Sequence, residues 1–313
     1  MTRNEQIQLL AERAELKRML ARIPAEAVID RLGLDSRLEE VEGLLGPDPK
    51  LEPEPARARV TFRGKPVVGS HGIFADFGMA AMKSFTEVVT AMAASHATGP
   101  LKPKGPIPNR EEHQLLITDT VPGSFGFEVE EHQDELPLED GGSSVAVALE
   151  KTQAILDRTR ESNDDDLADV LSEIDARTLN AVRSFLKVMV EAEASCGLEY
   201  RGRMVSFSDP GDVERSLQRL GEENVKETGV GLIGQFLGVL PQHRTFEFQV
   251  QDDNRVITGK VGPSIEDAGK LNALLGQPVR ISVMETKVGS GRPRYLLTGL
   301  PEKASRSSST LPG

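Results

Sequence analysis

The last third of the chain alternates short strand-like segments with one helical segment, and this order constrains the fold more than any other feature. Apolar and polar residues alternate in five segments, as they do in half-buried strands. These segments lie at about 230–240, 244–251, 255–261, 278–287 and 293–300. A short helix is predicted between the third and the fourth, at residues 264–275, with Ser264 as its N-cap. The pattern therefore predicts a small five-stranded β-barrel.

The order of these elements resembles that of the OB-fold, a five-stranded barrel. Residues 223–301 are accordingly predicted to form an OB-like barrel, and residues 302–313 a disordered tail. Such barrels bind oligonucleotides through their second and third strands and through the loops that join strands 1–2 and 4–5. The resemblance implies a face for single-stranded nucleic acid or a partner protein. The candidate binding residues in and beside those loops are Arg244, Lys287, Arg292, Arg294 and Tyr295.

The charge of the predicted barrel differs in sign from that of the rest of the chain. The formal net charge of the whole protein is −12. Residues 229–301 contain eight Lys and Arg against six Asp and Glu, so they carry +2 and the remainder carries −14. Nucleic acids require a positive field, which makes the barrel the better candidate for binding them. A charge of +2 supplies little attraction, so protein docking and a purely structural role stay open.

The first 46 residues predict two helices that form an antiparallel, coiled-coil-like hairpin. In the first helix Leu9, Leu16 and Leu20 repeat at heptad-like spacing, and in the second Leu34 and Val41 do so. A two-helix hairpin buries little surface alone, so it is expected either to associate with another copy or to dock on its own chain. Four prolines mark residues 47–56 as a linker.

Residues 57–222 predict a mixed α/β middle domain, so the fold class as a whole is α+β. Three of the segments expected to be extended lie at 57–63, 66–77 and 198–207, and a helix is expected at 78–96. Two further strands, 114–121 and 124–130, are joined by a turn signal at Pro122-Gly123. Helical periodicity returns between residues 145 and 189 and at 212–221.

A second set of basic residues lies on the first strand of this middle domain. Arg57, Arg59 and Arg63 alternate and therefore share one face of the strand. They are candidates for binding phosphate or an acidic peptide. The alternative, which we favour, is that they pair with the acidic stretch at residues 128–140 of the same chain.

The composition limits which cofactors the protein is expected to bind and where in the cell it is expected to be found. Cys196 is the only cysteine, so neither a disulfide nor a cysteine-based zinc site is expected within one chain. The histidines form no metal-binding motif, and we predict no cofactor and no metal. No segment has the roughly 20 apolar residues of a membrane span. The N-terminus has the pattern of an amphipathic helix instead of a signal peptide, so a cytoplasmic location and no membrane partner are expected.

Together these features predict a non-enzymatic, multi-domain binding or assembly protein, forming a homo-oligomer or a protein complex. The hairpin would supply self-association, and the barrel would bind nucleic acid or a protein. One alternative is an enzyme whose site is assembled in the middle domain from His71, Asp76, Arg63 and His113. Another is an accessory subunit of a bacterial defence or stress complex, an idea that no residue pattern favours.

Overall fold

The computed structural model describes residues 3–24, 27–46, 55–121, 125–132 and 143–303. Most of the predicted Pro-rich linker, the Pro122-Gly123 turn, the acidic stretch after residue 132 and most of the tail lie outside these residues. The described residues up to 46 belong to one compact unit, and those from 55 onward belong to a second. The chain is mixed α+β and contains a closed five-stranded β-barrel, which confirms the broad fold class predicted from the sequence.

The first unit contains helices α1 (Arg3–Arg22) and α2 (Val28–Leu45). Leu16, Val41 and Leu45 form its small buried core, as their heptad-like spacing predicts. Polar contacts also join the helices: the Arg31 guanidinium donates to the backbone oxygens of Leu20, at 3.0 Å, and Ile23, at 2.9 Å. These carbonyls lie at the end of α1, where helical oxygens have no partner within the helix.

The second unit begins with a five-stranded antiparallel sheet covered on one face by helices. The strand order is β4-β5-β1-β6-β7. The strands of this region are β1 (Arg57–Gly64), the short pair β2 (Val67–Val68) and β3 (Gly72–Ile73), β4 (Leu115–Thr120), β5 (Phe125–Glu131), β6 (Ala194–Tyr200) and β7 (Arg203–Ser206). The helices are α3 (Ala75–Thr98), α4 (Ser144–Arg160), α5 (Asp164–Leu171), α6 (Ala176–Glu191) and α7 (Pro210–Arg219). A 3-10 helix spans Arg110–His113.

Alternating residues of the sheet explain which face the helices cover. Val60 and Phe62 of β1 are buried in a large core with residues of α3, α4 and α6. Their neighbours Arg59 and Arg63 are exposed, because successive side chains of a strand point to opposite faces. The Phe62 ring meets that of Phe77 on α3 edge to face, with centroids 5.5 Å apart.

Two predictions in this region were wrong. Residues 75–77 begin helix α3 instead of continuing a strand, since the apolar pair Ile73 and Phe77 is spaced by four and suits a helix as well as an extended chain. The predicted strand 198–207 is two antiparallel strands joined by a tight turn at Arg201-Gly202, where φ is +50° and +76°. Arginine rarely adopts positive φ, so the sequence carries no strong turn signal there.

The barrel follows directly and closes on itself. Its strands are β8 (Val225–Leu240), β9 (Thr245–Val250), β10 (Val256–Val261), β11 (Val279–Val288) and β12 (Arg294–Leu297). Strand β12 pairs parallel with β10 and antiparallel with β11, which closes the ring β8-β9-β10-β12-β11. A short strand, β13 (Glu302–Lys303), adds to β11. Phe236, Phe246 and Phe248 fill the interior with edge-to-face contacts.

The helical segment between β10 and β11 is shorter than predicted and of another type. It is a 3-10 helix spanning Ala268–Leu274, whose cap is Asp267 instead of Ser264. The Asp267 carboxylate accepts a hydrogen bond from the Gly269 amide, at 2.8 Å. The Ser264 hydroxyl does not cap this helix, because it donates a hydrogen bond to the Thr298 carbonyl at 2.9 Å.

Candidate ligand site between the barrel and the helices

The loop between β11 and β12 is bonded to the start of helix α5. The Arg292 amide donates to the Asp165 carboxylate at 2.6 Å, and the Arg294 guanidinium pairs with Asp169. The Asp169 carboxylate accordingly raises the pKa of Arg294. Gly289 allows the close approach, since a Cβ atom there would lie 2.5 Å from an oxygen of Asp164. The sequence predicts that this loop binds nucleic acid. In the structure the loop instead contacts carboxylates of the same unit.

Arg244 lies in the loop between β8 and β9 and points back into its own unit. Its guanidinium donates to the backbone oxygens of Gly262 and Ile265, each at 2.7 Å, and of Val261 at 3.2 Å. The residue itself has φ of +49°, a left-handed conformation. Arg244 therefore holds the segment after β10 in place, and it does so by bonding to groups that carry no net charge.

The remaining barrel candidates are not gathered into one patch. Tyr295 is buried in the barrel core, and this burial raises the pKa of its hydroxyl. Its ring is therefore unavailable to stack on a base while the barrel is folded. Lys287 is exposed on β11, opposite Lys226 of β8. Arg244 lines a cavity described below, whereas Lys287 does not.

The strand β1 arginines pair with carboxylates of the neighbouring strands. Arg57 donates to Glu130 at 2.6 Å, and Arg59 donates to Glu128 at 3.0 Å. The predicted pairing of these arginines with acidic residues of the same chain is confirmed at these two glutamates. Arg63 is exposed at the other end of the strand.

The four residues of the enzyme alternative do not meet in one place. Asp76 begins α3, whereas the His113 carbonyl lies 3.5 Å from the hydroxyl of Thr90, about 21 Å further along the same helix. His71 is exposed in the turn between β2 and β3. Within the part of the chain that the structure describes, no three His, Cys, Asp or Glu side chains are grouped as they would be around a metal ion.

A cavity of about 580 Å³ opens instead between the outer face of the barrel and the helices. This volume lies within the range typical of small-molecule sites. One wall comes from the barrel, where Lys260, Leu296 and Met284 stand side by side on three paired strands. The opposite wall comes from the ends of α3 and α5 and the start of α6, with Met92, Leu101 and Ile174 supplying apolar surface. Apolar walls with a few polar groups are the usual composition of ligand sites.

Charged side chains converge on this cavity from both walls. Lys260 of β10 pairs with Glu173, and Lys151 of α4 lies 3.6 Å from the other oxygen of the same carboxylate. Arg244 and His96 also line the cavity. Desolvation, together with the nearby Lys151 ammonium, lowers the pKa of His96, which favours its neutral form.

A second polar group lies at the start of α6. The carboxylate of Asp175 accepts from the Thr178 amide at 2.8 Å, as an N-cap, and from the Leu101 amide at 2.9 Å. Burial raises the pKa of nearby Glu227; Arg183 opposes this shift and Asp175 adds to it.

Thr178 contributes a hydroxyl with no partner on this wall. The residue lines the cavity and its exposed fraction is 0%. Its Oγ1 atom has no hydrogen-bond partner among the described residues. A buried hydroxyl without a partner is uncommon, because it forfeits its bonds to water.

Comparisons with models of protein families, with curated proteins and with solved structures found no match to this chain. Among the described residues, no helix combines the length and the apolar character needed to cross a membrane. The function is therefore argued from the geometry of the cavity.

Apart from Arg244, sequence reasoning missed the residues of this cavity. Lys151, Glu173 and Thr178 lie on three different helices or their ends and form no motif along the chain. The one available signal is Asp175, three residues before Thr178, which is typical of a helix start. That signal predicts the cap but not the cavity, because the facing wall comes from strands more than 80 residues further on.

Proposed function

We propose that the protein is a binding protein, and that its ligand is a small organic molecule held in the cavity between the barrel and the helices. The cavity itself carries this proposal: it has the volume of a small-molecule site, apolar walls and several converging polar groups.

We further assign the barrel as OB-like, on the support of its five-strand ring and the helical segment between its third and fourth strands. The geometry favours a small molecule over an oligonucleotide. The loop that such barrels use to bind nucleic acid is here bonded to Asp164 and Asp165, and Tyr295 is buried. The net charge of −12 also opposes binding to a polyanion.

We also propose that the N-terminal helices form an antiparallel hairpin that associates with a second copy of the chain. Its support is an apolar surface: Ile29 is 89% exposed and Leu32 is 68% exposed, and Leu44 and Met19 are exposed as well. Among the described residues, the buried cluster of Leu16, Val41 and Leu45 is small for an independent unit, and burying these exposed side chains against another copy would stabilise it.

A cavity-filling substitution tests the ligand site. Ala176 begins α6, is exposed and lines the cavity, so Ala176→Trp places a large ring where the ligand would lie. The probe is N-phenylnaphthylamine, a neutral apolar dye whose fluorescence rises when it leaves water. We expect wild-type protein to bind one molecule of dye, and Ala176→Trp to weaken that binding at least about tenfold.

Ala80→Trp is the matched control, because Ala80 is exposed on α3 and does not line the cavity. Its dye affinity should equal that of the wild type. Equal affinities in all three proteins, or no binding by the wild type, would refute the proposal.

A further inference from the structure

The charges of the cavity wall are unevenly matched. The ammonium groups of Lys151 and Lys260 share the single carboxylate of Glu173. Arg244 adds a third cation, and the three bonds described above join it to carbonyl oxygens, which leave its charge uncompensated. Among the described residues, Glu173 is thus the one carboxylate in ion-pair contact with any of these three cations.

Asp175 is a second carboxylate of the cavity, and it is bonded away from these cations. Both of its oxygens accept backbone amide hydrogens, and it caps the N-terminus of α6, where the helix dipole favours a negative charge. Glu227 also lines the cavity, and burial raises the pKa of its carboxyl group. Among the described residues, Lys151 and Lys260 form ion pairs with Glu173 alone, so both ammonium groups can also bind an acidic group of a ligand.

The apolar surface lies directly beside these cations. Leu296 is paired with Lys260 on one side and with Met284 on the other, so the ammonium-bearing strand and the apolar strands form one continuous wall. Ile174 follows Glu173 in sequence and lines the same cavity. A molecule that reaches the lysines with a charged group can lay its remaining atoms against Leu296, Met284 and Ile174.

From this arrangement we propose that the ligand is an organic anion with an apolar body, its acidic group held by Lys151, Lys260 and Arg244. This inference rests on the proposed function, since it names the chemical class of the molecule that the same cavity takes. The acidic group would compete with Glu173 for the two ammonium groups. The apolar body would account for the greater part of the contact surface.

A pair of dyes tests the chemical class. Anilinonaphthalenesulfonate carries a sulfonate on the same aromatic body as neutral N-phenylnaphthylamine. The double variant Lys151→Gln with Lys260→Gln should bind the sulfonate at least about tenfold more weakly than the wild type, as expected for the loss of charge-assisted hydrogen bonds. Its affinity for the neutral dye should stay within about twofold of the wild-type value.

Glu173→Gln is predicted to change sulfonate affinity in the opposite direction. A gain in affinity cannot be explained by a folding defect. Removing the competing carboxylate should tighten binding of the sulfonate several-fold and leave the neutral dye unaffected. The matched control is Lys226→Gln with Lys287→Gln, which removes two exposed charges from paired positions on β8 and β11 that do not line the cavity. This control should bind both dyes as the wild type does.

The outcomes separate the two proposals. If the wild type binds the neutral dye in an Ala176-dependent way but the lysine and Glu173 variants leave the sulfonate affinity unchanged, the anion inference fails and the ligand site stands. A loss of sulfonate binding that is equally large in the Lys226 and Lys287 control also overturns the inference, because it would reflect general charge. If the wild type binds neither dye, both proposals fail together.

Discussion

Arg244 carries a charge that suits an anionic ligand, while its guanidinium also fixes the chain that follows β10. The sequence predicts its place in a loop of the barrel, because strand alternation stops there. Its three bonds to carbonyls 17 to 21 residues away could not be predicted, since they depend on how the barrel closes. Arg294 is similar: its position after a glycine-rich turn is evident, but its partner Asp169 lies 125 residues earlier.

Thr178 gives the sharpest prediction at the scale of single residues. Thr178→Val keeps the shape of the side chain and removes a buried hydroxyl that has no partner among the described residues. Because the hydroxyl forfeits its bonds to water on folding, we expect the free energy of unfolding of the unliganded protein to rise by about 1 kcal/mol. Urea denaturation followed by circular dichroism measures this change.

Thr152→Val is the control for that substitution. Thr152 is equally buried, but its hydroxyl donates to the Ala148 carbonyl at 2.7 Å. Its removal should lower the free energy of unfolding by about 1 kcal/mol. A loss of the same size in Thr178→Val would mean that its hydroxyl already has a hydrogen-bond partner, which would contradict the arrangement described here.

At the scale of elements, local pattern decides how much can be predicted. The barrel strands are predictable because each one alternates: Phe246, Phe248 and Val250 of β9 are buried, while Glu247 between them is exposed. The start of α3 is not predictable in this way, because the spacing of Ile73 and Phe77 fits both a helix and an extended strand. The β6–β7 turn is also not predictable from the sequence, since Arg201 adopts a positive φ that its residue type disfavours.

The cavity is an element-scale feature that no local pattern encodes. Its two walls come from segments near residues 92–103, 151, 173–178, 227–263 and 284–298. Each segment has an ordinary local explanation as a helix end, a strand or a loop. Only the pairing of β10, β11 and β12 and the docking of α5 on the loop after β11 bring them together.

At the scale of the whole molecule, the proposed self-association predicts a mass greater than that of one chain. Ile29→Glu with Leu32→Glu places charge on the exposed apolar surface of α2, and this should reduce the mass to that of a single chain. Light scattering after size-exclusion chromatography of the full chain measures it. Val256→Glu, on a comparably exposed side chain of the barrel, should leave the mass unchanged.

A wild-type mass equal to one chain would contradict self-association. A mass that stays high in the double variant would place the contact on another surface. Neither result bears on the cavity, whose residues all belong to the unit that begins at residue 55.

The most direct test of the central claim, that the cavity is a ligand site, is a crystal structure of the wild-type protein grown with N-phenylnaphthylamine. We expect electron density for one dye molecule between Leu296 of the barrel and Ile174 of the helical wall. Density for the dye on an outer surface, with the cavity left unoccupied, would contradict it.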